Sequence, residues 1–152
     1  MSIWGPKPDD NDDAADWLAE FSTSPSIASL NDAFDHVLAL DSDEYLEVSD
    51  GAVAYVAAWI VLQLFDPQPA FDLIEPDQIS HLHGERMRLA PGAAAGLAAR
   101  ALRAVRAVGS ADLSELFDLA HQDPKIGGTW FADLQSLLAK LAAVERRLDS
   151  AK

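Results

Sequence analysis

The sequence predicts an all-α fold: a single compact bundle of six or seven helices around a buried central helix over about residues 43–65. Three observations carry that prediction. Apolar residues recur at three- and four-residue steps, β-branched alternation over a strand's length is scarce, and Ala52 to Phe65 is apolar throughout except for Gln63. A helix apolar on every side belongs at the centre of a bundle. The chain of 152 residues has the size of one domain, in which folding removes roughly two-thirds of the surface exposed by the unfolded chain, so one core suffices.

The first helix is expected to begin at Asp12 or Asp13, where carboxylates can cap free amides and meet the positive end of the helix dipole. Trp17, Leu18 and Phe21 then form its apolar face. Ser24-Pro25-Ser26 interrupts the chain, and a second helix over about 26–39 turns Ile27, Leu30, Phe34, Val37 and Leu38 inward. Asp41 and Ser42 open a turn into the central helix, which Pro67 and Pro69 are expected to end.

The pattern is weakest between Ala70 and Ala90, where it supports a short helix over about 76–82 followed by a loop. From Pro91 to Val108 the composition is Ala, Leu and Arg, with Pro91 suited to a first turn and Gly109 to a stop. Ser110 is expected to cap a shorter helix over 111–120. The last helix is expected over 129–149, entered through Gly127 and Gly128 and acting as a main packing partner of the central helix. Trp130, Phe131, Leu134, Leu137, Leu138, Leu141, Val144 and Leu148 form its apolar stripe, and Arg146 and Arg147 lie near its negative end.

The net charge of −14 is unevenly placed: residues 1–50 hold thirteen acidic side chains against Lys7 alone, while the rest of the chain is nearly balanced. Such a field repels nucleic-acid phosphates and anionic membrane surfaces and attracts basic partners, so neither a nucleic acid nor a membrane is an expected partner. Cysteine is absent, which excludes disulfides, thiolate metal sites and cysteine nucleophiles and suits a reducing compartment. The first residues lack the basic and apolar pattern of a secretory signal, and Ala52 to Phe65 is shorter than the roughly 20 residues of a bilayer span. A cytoplasmic location is expected. Gly92 and Gly96 have a spacing used for helix dimerisation in lipid, but Arg100, Arg103 and Arg106 follow, so the pair reads as close helix packing in water.

The opening Trp4-Gly5, followed by Asp10-Asn11-Asp12-Asp13-Ala14-Ala15-Asp16-Trp17-Leu18, resembles the start of a bacterial family known as domain of unknown function 4259. The resemblance is specific over the first twenty residues and looser through the Ala-rich central helix, Glu115-Leu116-Phe117 and Trp130. Pro6 and Pro8 depart from it, standing where the family more often has glycine and an aromatic residue. It implies a small bacterial helical domain and brings no catalytic residues with it.

Two clusters invite a chemical reading. As a calcium loop, Asp9, Asn11, Asp13 and Glu20 fall at ligand positions one, three, five and twelve, but Ala14 stands where the loop needs glycine, so capping and a solvated acidic face explain the run better. His81, His83 and Glu85 alternate as strand ligands would, whereas two-residue steps on a helix point apart, so a polar loop is the plainer reading. No nucleophile elbow or phosphate loop is present. Arg100, Arg103 and Arg106 read as solvated or paired with the acidic N-terminal region.

These observations favour a small intracellular protein-binding module, an immunity or inhibitor protein in its most concrete form, that presents an acidic N-terminal surface to a basic protein. The residues expected to meet that partner are Trp4, Asp9, Asp10, Asp12, Asp13 and Asp16. Trp4 and Trp17 flank the run, and their structural reading has Trp4 pinning the N-terminal tail to the bundle and Trp17 in the core. No catalytic residue and no cofactor is assigned. The alternatives are a metal-dependent or hydrolytic enzyme using the acidic run or the His81, His83, Glu85 segment, and a structural subunit that self-associates as a homo-oligomer.

Overall fold

Seven helices follow one another among the residues described by the computed structural model, 3–66 and 68–150. They are α1 (Asp12–Thr23), α2 (Ile27–Leu38), α3 (Val48–Phe65), α4 (Pro76–Met87), α5 (Pro91–Val108), α6 (Glu115–Gln122) and α7 (Pro124–Ser150). No strand forms among them; two isolated bridges, Ile3 with Asn11 and Leu46 with Ser114, are the only β pairings. The expected all-α bundle with a central helix is therefore the architecture found. Pro67, expected to end the central helix, lies outside the described residues.

Helix α3 packs against all six other helices. Its side chains are buried almost without a break from Gly51 to Phe65, and Tyr55, Trp59, Ile60 and Leu62 are among the most enclosed. Each large apolar side chain removed from water there contributes about 1.5–3 kcal/mol before the entropy of ordering is counted. By length and composition α3 could cross a membrane, and 83% of it is enclosed by the rest of the bundle. Helix α7 packs chiefly against α5 and less against α3, which corrects the expectation that it would be a main partner of the central helix.

The start of α3 is a second correction, because it begins at Val48 and not near Asp43. The preceding segment is held extended by a distant part of the chain: Leu46 N donates to Leu113 O at 2.7 Å, and Glu115 N donates to Leu46 O at 2.9 Å. Glu115 Oε1 then accepts from Val48 N at 2.8 Å and caps α3 from another helix. The same bridge delays α6, which starts after Ser114 rather than Ser110; the Ser114 hydroxyl accepts from Phe117 N at 3.3 Å.

Helix α4 runs past Leu82 to Met87, replacing the expected loop. Glu75 N donates to Gln78 Oε1 at 2.8 Å at its start, and Gln78 Nε2 ties it to Ser22 O at 2.8 Å. Helix α7 begins at Pro124, so Gly127 and Gly128 lie inside it. Asp123 caps this start, its carboxylate accepting from Lys125 N at 2.9 Å and its carbonyl from Gly127 N at 2.8 Å.

Two further expectations change. A side chain added at Gly92 or Gly96 would meet nothing within 4 Å, so these glycines do not mediate close packing inside the bundle. Trp4 is 57% exposed, and it is Ile3 that packs on the core, so the indole does not pin the tail. Arg100 of the arginine ridge pairs with Asp35 and donates through Nε to Asn31 Oδ1 at 3.1 Å, joining α5 to α2.

Candidate functional site

The N-terminal acidic run divides into structural and cleft-lining residues. Asp10 closes a turn: its carbonyl accepts from Trp4 N at 2.9 Å and its Oδ2 from Lys7 N at 3.0 Å. Asn11, only 3% exposed, is the N-cap of α1, with Oδ1 accepting from Ala14 N at 2.8 Å. Asp12 and Asp13 occupy the first turn of α1, where carboxylates offset the helix dipole.

Asp13 and Asp16, together with Trp17, form one wall of a cleft of about 310 Å3. Asp32 and His36 of α2 form the second wall, and Ser49 and Asp50 at the start of α3 close the third. Four carboxylates from three helices thus border one space. The stacking of Trp17 on Phe21, with centroids 4.9 Å apart, supports the indole at the edge of that space.

Asp13 carries the clearest electrostatic signature. Its Oδ2 is buried without a hydrogen-bond partner. Burial raises its carboxyl pKa above the ordinary 3.8, and the nearby negative charges of Asp12, Asp16 and Asp50 add to the rise. A cation entering the cleft would relieve both the desolvation and the repulsion.

A metal ion is a poor match for this arrangement. Among the described residues no three His, Asp or Glu side chains are gathered closely enough to hold one. The spread of carboxylates suits a larger organic cation, an ammonium or guanidinium on a side chain, which can donate to several acceptors at hydrogen-bond distance and lie against an indole face.

The remaining predicted residues are not brought together here. Trp4, Asp9, Asp10 and Asp12 do not line the cleft, and Glu20 borders a different depression on the far side of Trp17. The calcium spacing is dispersed because α1 begins inside it, leaving Asn11 turned inward as a cap.

In the second candidate cluster, His81 Nε2 lies 3.3 Å from Glu85 Oε2, while Glu85 Oε1 accepts from Ile27 N at 2.7 Å. Glu85 is therefore a cap for α2. His83 faces a separate depression beside Phe65 and Ile79, and burial, assisted by Arg86, holds its pKa below the ordinary value. Asp32, His36 and Asp50 are the cleft residues that sequence reasoning missed. Asp32 and His36 share one face of α2 as an i,i+4 pair, but only the packing of α1, α2 and α3 brings them beside Asp13, Asp16 and Asp50.

No curated protein and no solved structure matches the chain. The family model described as Domain of unknown function (DUF4259) matches residues 2–133, most of the sequence, and the chain belongs to that family.

Proposed function

We propose that the chain is a protein-binding module whose acidic cleft receives a lysine or arginine side chain of a basic protein partner. The observation that carries this reading is the convergence of Asp13, Asp16, Asp32 and Asp50 on one cleft, with Asp13 Oδ2 buried and unpartnered. Native chains retain a buried unpaired acceptor at a cost of about 1–3 kcal/mol, and a bound cation offsets that cost only in the complex. The charge of the first fifty residues adds long-range steering toward a basic surface. An immunity or inhibitor protein that occupies a basic enzyme is the concrete form of this function.

The test is capture of the partner on the immobilised full chain, followed by elution with increasing salt. Asp16→Asn/Asp32→Asn/Asp50→Asn should weaken the captured complex at least tenfold, whereas Asp9→Asn/Asp12→Asn, outside the cleft, should change it only slightly. A complex that survives 1 M salt unchanged, or that ignores the cleft substitutions, would overturn the reading.

A further inference from the structure

A second concavity, of about 370 Å3, lies where α2 and α5 end, and its floor is apolar. Leu38, Leu40, Ala107 and Leu113 line it and are all only half-buried, so the bundle leaves part of their surface in water. Three partly buried leucines at one place leave room for one further apolar side chain to pack against them.

The surroundings of this groove select the charge of what enters. Val37 and Leu38 belong to the last turn of α2, and Arg106 and Ala107 to the last turn of α5, so two negative helix ends meet there. Asp41 and Glu44 stand on the rim, with Asp43 between them in sequence. Arg106 is the one cation lining the groove among the described residues. Apolar floor, carboxylate rim and two helix C-termini together complement an amphipathic segment that carries leucine-like anchors flanked by lysine or arginine.

We propose that this groove docks such a segment of the basic partner, seating an apolar anchor while the acidic cleft holds a cation. The inference rests on the reading that the partner is a basic protein. Cleft and groove lie on the two flanks of α2, the cleft using Asp32 and His36 and the groove Val37 and Leu38, with the exposed side chains of Asp35 and Ala39 between them, so a partner laid across α2 reaches both.

The probes are fluorescein-labelled synthetic helical peptides titrated onto the full chain: one of net charge +4 with leucines at i and i+4, one of equal charge with serines there, and one with the leucines and net charge −4. The basic leucine peptide is expected to bind at least tenfold tighter than either other peptide. Ser110→Trp, which fills the groove, should erase the leucine advantage, whereas Asp16→Asn/Asp32→Asn/Asp50→Asn should weaken both basic peptides and leave their ratio intact. Arg106→Glu should strengthen binding of the basic leucine peptide several-fold, a gain that a damaged fold cannot produce.

Equal binding of the leucine and serine peptides, a leucine advantage that survives Ser110→Trp, or no gain with Arg106→Glu overturns the groove and leaves the cleft reading standing. A leucine advantage that is lost in Ser110→Trp, with no effect of the cleft substitutions, keeps the groove and overturns the cleft. If no peptide binds, or the acidic one binds best, both fail.

Discussion

The backbone of Gly5 lies directly against the carboxylate of Asp10: a β-carbon at residue 5 would stand 2.8 Å from Asp10 Cγ and closer still to its Oδ2. That carboxylate already accepts from Lys7 N, and the Asp10 carbonyl from Trp4 N. The Trp4-Gly5 to Asp10-Asn11 signature is thus a folded turn that delivers Asn11 to the start of α1. Gly5→Ala should lower stability by about 1–2 kcal/mol in urea denaturation, because the carboxylate must leave its place. In an Asp10→Ala background the same change should cost much less. Simple additivity of the two substitutions would show that the contact is not the cause.

Helix α3 depends on a cap that is 67 positions away in the sequence, Glu115 Oε1 on Val48 N. Glu115→Ala leaves that amide without its acceptor and should cost about 1–2 kcal/mol, the usual range for losing a cap. Glu115→Gln retains an oxygen acceptor and should cost clearly less. Hydrogen exchange at Val48 provides the local readout: it should accelerate in the alanine variant, and an unchanged rate there would assign the cap to another group.

Asp13 predicts a pH dependence of definite sign. Its folded pKa is raised, above all by burial, so the folded chain binds this proton more tightly than the unfolded chain does. Its favourable contribution is therefore present below the ordinary 3.8 and is lost as pH rises through the raised value; at neutral pH the ionised group opposes folding. Asp13→Asn should raise the melting temperature at pH 7 and bring little gain at pH 3. An equal gain at both values would exclude charge as the cause. Under the proposed function the same substitution weakens partner binding, the exchange of stability for function expected at a binding site.

Helix existence followed from local pattern wherever the chain decides locally. Helix α5 spans Pro91–Val108 with Gly109 as its C-cap because strong helix formers, a first-turn proline and a terminal glycine all act within the segment itself. The start of α3 was hidden because the Leu46 to Ser114 bridge that forbids an earlier start joins residues 68 positions apart. The cleft was half legible for the same reason. Asp13 and Asp16 stand in a visible acidic run, while the Asp32 and His36 pair of α2 and Asp50 of α3 meet them only after the three helices pack.

Gly127 and Gly128 show how adjacent identical residues acquire opposite roles. Their dipeptide reads as a helix entrance, yet both are inside α7, where glycine costs about 0.5–1 kcal/mol relative to alanine. A β-carbon at Gly127 would lie 2.8 Å from the Ala120 carbonyl oxygen, a backbone atom that cannot swing aside, whereas one at Gly128 would meet nothing within 4 Å. Gly127 therefore permits the tight corner between α6 and α7, and Gly128 has no such duty within the bundle. Gly128→Ala should stabilise the chain by about 0.5–1 kcal/mol, and Gly127→Ala should destabilise it by about 1–3 kcal/mol as the corner is forced apart. Thermal unfolding of the two single variants decides the matter, since equal shifts of one sign would mean that helix propensity alone governs both positions and that the close approach to Ala120 exerts no control.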